Sequence, residues 1–346
     1  MNGFDKVFKF VVIFLLSVFI FGCTFTNKPR PRPGSYATGG KAKFIDCNSL
    51  GTHSYGSFVG EKDGIAYTCR GGHIDIAHLR IAADNVYYRY NKILKKLEAG
   101  ETEVAFSLNT DTSDFVLHIT YPTNLNKFST ARRKEVFERS ALDMAQYCSW
   151  QMVSWHEVLT WFGMKALLVL PQFESAFSWE DNYSNLLGTV IAVKAIERPG
   201  TNFDNDMTIS LTEELQKLDP QPACVGYYAS EKMRDTWYTS GMGGTHMILR
   251  HMDLGVDDGY VSPMIVPDIC PTVAPKPYPI PKLAVAKQFG FKAELEIDNH
   301  GMAGSRCLKM IYPNGEDGPI YPEKHLAILM KCIKEDAIER GYTVFP

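Results

Sequence analysis

The chain lacks most of the signatures that would assign it a chemistry directly. No C-x-x-C spacing occurs, which argues against a zinc ribbon or a thioredoxin-like dithiol. No G-x-S-x-G elbow occurs, so the commonest serine-hydrolase signature is missing. Basic residues are not in excess: 36 Lys and Arg face 39 Asp and Glu, a formal net charge of −3. Without a basic surplus or a polybasic run, nucleic acid is not expected as a partner, nor simple electrostatic adhesion to an anionic membrane. The apolar run Phe10–Phe21 is too short to cross a bilayer as a helix. Gly241-Met-Gly-Gly244 lacks the strand and helix context of a phosphate loop and reads as a turn. No internal repeat is visible.

What is present begins at the N-terminus. Lys6 and Lys9 precede the apolar run, and Gly22 closes it, the arrangement of a secretory signal peptide over residues 1–22. Ile20-Phe21-Gly22-Cys23 resembles the lipobox of bacterial lipoproteins, in which the cysteine is acylated and becomes the new N-terminus. This predicts attachment to a lipid bilayer through Cys23. Thr24 rather than Asp follows it, which by the usual bacterial sorting pattern predicts the outer membrane, facing the periplasm. Lys28-Pro-Arg-Pro-Arg-Pro-Gly34 then reads as an extended tether, residues 23–43, with order expected from about Phe44. Seven cysteines remain after Cys23, an odd number, so at least one stays free or pairs between molecules.

The rest, 44–346, is rich enough in apolar residues (45% of the chain) to be globular. Helical patterns cover His73–Ala99, Thr130–Phe162 and a third segment from Ser178 to about Arg198. Ser178-Trp-Glu-Asp181 has the spacing of a capping box, with Asp181 as its N3 partner. Glu103–Leu108 and Phe115–Tyr121 alternate like strands. Further on, 211–218, 223–238 and Pro322–Arg340 look helical, 247–254 and 291–297 look extended, and Pro263–Pro281 is irregular. Helices outnumber strands without a βαβ rhythm. The expected class is therefore α+β: one helix-rich domain with a few antiparallel strands and a possible subdomain break near 199–210.

Chemistry concentrates in three places. Asp75 and His78 are i, i+3 neighbours on a narrow polar stripe that continues through Asn85 and Arg89 between two apolar flanks, which suggests an internal face. Asp84 is placed to pair with Arg80 at i, i+4. In the tryptophan-rich second helix, Glu157 shares a stripe with Trp150 and Trp161, where a carboxylate must be protonated, paired or metal-bound. His156 points elsewhere, beside Ala145, Ser149 and Met152. Glu180, at the start of the third helix, is either a further ligand or a helix-dipole partner. Cys69 precedes a helix start, as a thiolate nucleophile would, with His78 or His156 as base; a disulfide to Cys47 and a buried apolar role are the alternatives.

Three blocks carry a resemblance: Tyr67-Thr-Cys-Arg-Gly-Gly-His-Ile-Asp-Ile-Ala-His-Leu-Arg80, Trp155-His-Glu-Val-Leu-Thr-Trp-Phe-Gly163 and Ala176-Phe-Ser-Trp-Glu-Asp-Asn-Tyr-Ser-Asn-Leu-Leu-Gly188. They resemble a bacterial lipoprotein family known only as domain of unknown function 4056, from about Cys47 to the C-terminus. The resemblance implies shared residues at Cys69, Asp75, His78, His156, Glu157, Glu180, Asp181, Tyr183 and Asn185. It implies an apolar residue more often at His73, which demotes that histidine as a ligand. No activity comes with it. The expectation drawn from the residues is a divalent metal (zinc, iron or manganese) held by Asp75, His78, His156 and Glu180. Glu157 would be the general base of a hydrolase acting in the envelope. The rivals are a Cys69-nucleophile hydrolase or acyltransferase and a non-catalytic structural or binding lipoprotein.

Overall fold

In the computed structural model the described residues are 28–345, apart from 33, 35–37, 39–41, 58, 108–112, 164, 167–169, 172, 201, 242–243 and 316–317. Cys23 and the expected signal peptide lie outside them. The centre is built from three helices: α1 (Ile76–Glu98), α2 (Thr130–Trp161) and α3 (Asp181–Glu197). Each is buried on more than one side, as helices between two layers must be. Ser129 caps α2 by accepting the Arg132 N–H at 3.2 Å. Asp75 caps α1, its Oδ1 accepting the N–H groups of Ala77 at 2.7 Å and His78 at 3.2 Å.

The first helix starts three residues later than its apolar pattern suggests. Gly72–Asp75 (β2) pairs antiparallel with Ile65–Thr68 (β1), placing Tyr67 opposite His73. A tight turn joins them. Gly72 sits at φ 65°, and a Cβ there would fall 2.1 Å from the Met264 carbonyl oxygen, so only glycine fits. His73 is therefore a strand residue facing inward, not part of the helix.

Helices α1 and α3 touch backbone to backbone. A Cβ on Gly188 would meet the Leu79 carbonyl oxygen at 2.1 Å and the Ala82 Cβ at 3.0 Å. This close approach brings the start of α3 against the start of α1. Phe203–Gln216 (α4) continues from α3, and Met207, Leu211 and Leu215 share one apolar cluster with Leu187 and Ile191. The two helices flanking the expected subdomain break near 199–210 thus share one apolar cluster.

Glu103–Ser107 (β3) and Ser113–Thr120 (β4) form the expected hairpin, and Lys292–Asn299 adds to the other edge of β4. Alternate residues Phe115, Leu117 and Ile119 face the core, as a one-sided antiparallel sheet requires. Gly241 pairs with Gly244 at the end of a second hairpin, while residues 242–243 of the expected turn lie outside the described residues. Leu249–His251 pairs parallel with Thr343–Phe345, a departure from the all-antiparallel expectation. The architecture is helix-rich α+β.

The largest correction concerns the tether. Arg32, expected to be a solvated spacer residue, is buried: its guanidinium binds Asp84 at 2.9 Å and also pairs with Glu61. Arg30 pairs with the same Glu61 and donates to the Ser54 carbonyl at 3.2 Å. The proline alternation does keep this segment without regular structure, but two arginines bind it to the body. The expected Arg80–Asp84 pair gives way accordingly. Arg80 reaches Asp63 at 2.6 Å, while Asp84 takes Arg32 and, at 2.9 Å, His53.

Candidate functional site

Two helix N-termini meet at the site. Asp75 is the N-cap of α1, and Asp181 is the first residue of α3. Both carboxylates converge on one imidazole nitrogen: His78 Nδ1 lies 3.0 Å from Asp75 Oδ2 and 2.8 Å from Asp181 Oδ1. Among the described residues, these three form the group whose His, Cys and carboxylate donor atoms all lie within 4.8 Å of one another. Positive helix ends favour negative charge in their first turn, so the burial of two acids here is offset by two dipoles. Ser184 ties the helices together, its Oγ accepting the Asp75 N–H at 2.9 Å and donating to the Glu180 carbonyl at 2.6 Å.

Burial works against a charged imidazole at His78. The Asp181 and Asp75 carboxylates outweigh it and hold the His78 pKa well above the ordinary histidine value. Three donors around one cation at about 2.1 Å would stand about 3 Å apart at right angles, close to the two observed edges. The donor set, two carboxylates and one imidazole, suits zinc, iron(II) or manganese.

Glu157 lies near enough to feel Asp181. Burial first, and then the Asp181 charge, raise its pKa above the carboxylate range, while the Phe177 N–H, His78 and Arg250 pull the other way. Its Oε2 accepts the Phe177 N–H at 2.8 Å. Phe177 has φ 56°, a left-handed conformation rare for a bulky residue, and this bend turns the chain toward Asp181. The bend is held from several directions. His251 N–H donates to the Phe177 carbonyl at 2.9 Å, Arg250 to the Ala176 carbonyl at 2.6 Å, and Asn182 to the His251 carbonyl at 2.7 Å. The segment leading into α3 is thereby fixed, and with it the position of Asp181 at the helix start.

His156 is half-buried and outside the three-residue group; burial and the nearby His78 charge lower its pKa to about 4, leaving it neutral. Glu180 occupies the α3 N-cap, fully buried, and also stands outside the group. Neither joins the ligand set in which the sequence placed them. Its third member is Asp181, which the capping-box spacing had assigned to Ser178. The box does not form, because α3 begins at Asp181 itself and the carboxylate turns to His78 instead. The pair of adjacent acids at a helix start, in the same block as Asn182 and Ser184, was the available signal.

His73 is buried against the Gly226 carbonyl at 3.0 Å and accepts from Trp179 Nε1 at 3.3 Å, a neutral structural histidine with its pKa lowered by burial to about 4. Cys69 is not a free thiol. It is disulfide-bonded to Cys270, so neither the nucleophile role nor the pairing with Cys47 holds. The reason is tertiary: the proline-rich segment folds back over the β1–β2 turn, where Lys276 N–H donates to the Arg70 carbonyl at 2.9 Å. Cys47, Cys148, Cys224, Cys307 and Cys332 are free. No helix among the described residues is long and apolar enough to cross a membrane.

The family described as "Protein of unknown function (DUF4056)" matches residues 36–256, and the chain belongs to it. The match takes in Asp75, His78, Glu157 and Asp181. It stops at 256, short of the C-terminal extent that the sequence blocks had suggested. No match was found among curated proteins or among solved structures.

Proposed function

We propose that this protein is a lipid-anchored hydrolase of the bacterial envelope that works with one divalent metal ion held by Asp75, His78 and Asp181. The observation that carries the reading is the convergence of three donor atoms within 4.8 Å at two helix N-termini. Three protein ligands leave coordination positions open, as catalytic sites require, and the metal would supply an activated water there. Glu157 is the proton-transfer group. A carboxyl raised above its ordinary range can both accept and return a proton near neutral pH. His156, neutral and half-exposed, is available to orient a substrate polar group. The envelope address, with acylated Cys23 in the outer membrane and the domain facing the periplasm, rests on the lipobox and the signal-like N-terminus alone. It implies substrates such as peptidoglycan, lipid or peptide, without choosing among them.

One observation favours a second reading. His78 charged between two carboxylates is already an ion-paired group, which a non-catalytic lipoprotein could keep for stability. A cleft of about 450 Å³, lined by Val190, Tyr260, Tyr278 and Lys282 among others, includes no residue of the cluster and would suit such a binding role. Metal analysis of the purified full chain separates the two. About one zinc, iron or manganese per chain, lost on Asp181→Asn and on His78→Ala, is expected; chains that stay empty in metal-replete preparations overturn the metal reading.

A further inference from the structure

We infer that the N-terminal segment carrying Arg30, Arg32 and Gly34 is a latched strap that covers the outer edge of His78 and must lift before a substrate reaches the cluster. The inference deepens the proposed function, since it concerns access to the same site. Asp75 and Asp181 are sealed, with side-chain exposures of 0% and 3%, whereas His78 retains 26%. The imidazole edge is therefore the cluster's open side. Gly34 lies on that edge: a Cβ built there would be 2.7 Å from both Cε1 and Nε2 of His78. That ring is held at Nδ1 by two carboxylates and cannot swing aside, so the chain passes this close only as glycine.

The latch sits further along the same helix. Arg32, two residues before Gly34, has a fully buried side chain on Asp84, which lies six residues after His78, about 9 Å along α1. Glu61 receives both Arg30 and Arg32, and His53 bridges Glu61 at 3.2 Å and Asp84 at 2.9 Å. Arg32 also donates to the Ser54 carbonyl at 3.1 Å. Pro29 and Pro31 keep the strap extended, so little chain entropy is lost when it docks. A segment held mainly by side chains, with Lys28 Nζ adding a bond to Ser107 Oγ at 3.4 Å, is the kind of element that opens locally while the core stays folded. The strap therefore runs along α1, fastened at Asp84 and closing at His78.

The test is the rate at which diethylpyrocarbonate modifies His78 in the full chain in detergent, followed by peptide mass spectrometry at one pH for all variants. His300, 63% exposed, is the internal standard. The two carboxylates keep the His78 imidazole protonated and slow to react with or without the strap, so access is read from the ratio of variant to native rates, with His300 correcting for reagent. Arg32→Ala, which undoes the latch, and Gly34→Ala, which pushes the strap off the ring without touching the ion pairs, should each raise the rate about tenfold or more. If Arg32→Ala does not fold, Gly34→Ala decides. The inference is overturned if native His78 reacts as fast as His300, or if the folded variants stay within about twofold of the native rate. This readout does not require metal, so an empty metal site would sink the proposed function and leave the strap standing.

Discussion

Two buried charge clusters lie along one helix, and they are built on opposite principles. Around Asp84, the carboxylates of Glu61, Asp63 and Asp84 are met by the guanidinium groups of Arg30, Arg32 and Arg80, with His53 between two of the acids. Around His78, two carboxylates are set against a single imidazole. Arginine forks satisfy carboxylates bidentately and keep their charge under all conditions, which makes the first cluster a fastening. Histidine can give up its proton to a metal, so the second cluster can exchange one cation for another. Burial alone does not distinguish a site from a structural network. The kind of cation supplied by the chain does.

The sharpest way to break this comparison is Glu61→Ala. It strands arginines that the native fold has paired, and denaturant unfolding should show a loss of about 3–5 kcal/mol. A loss below about 1 kcal/mol would mean that the network is solvated and ordinary. Asp181→Asn should do the reverse. Metal affinity by equilibrium dialysis should fall about 100-fold or more, with stability changed by about 1 kcal/mol or less. A large stability loss with unchanged affinity would put Asp181 in the structural class.

His251 provides a control outside both clusters. It is buried and neutral, with its pKa lowered to about 4 by desolvation. Above about pH 7.5 neither the folded nor the unfolded chain protonates this group, and its full contribution to stability is present. As pH falls toward 4, the unfolded chain binds a proton that the folded chain refuses, and stability declines, by about 2–3 kcal/mol from this group. His251→Gln should flatten that part of the stability–pH curve. An unchanged slope would assign the acid sensitivity elsewhere.

The smallest expected effect belongs to Ser184→Ala. Losing the bridge between the Asp75 N–H and the Glu180 carbonyl should cost about 1 kcal/mol in stability and less than about tenfold in metal affinity. A larger affinity loss would make Ser184 a principal positioning residue for Asp75.

Local patterns read well wherever local forces decide. The apolar periodicity of α1 and α2 and the alternation of β3 and β4 all appear in the fold near their expected bounds. The Asp75–His78 pair was legible because i, i+3 neighbours meet on any helix. Asp181 was misread for the corresponding reason. Its spacing from Ser178 satisfies a local capping rule, and nothing in the string reveals that a second helix start lies beside it. Cys69 likewise has a partner 201 residues away, beyond the reach of any spacing argument. The proline-rich strap reads as a tether because its sequence encodes its extension but not the carboxylates waiting on α1 and near Glu61.

The sequence by itself determined the class of fold, the helices that carry the chemistry and two of the three cluster residues, since periodicity and capping act within a few residues. Only the tertiary structure decided which acid completes the cluster, which cysteine closes the loop and where the N-terminal segment lies. Those outcomes depend on helix-to-helix approach at Gly188 and on charge pairing between distant segments, and distance through space is not written in distance along the chain.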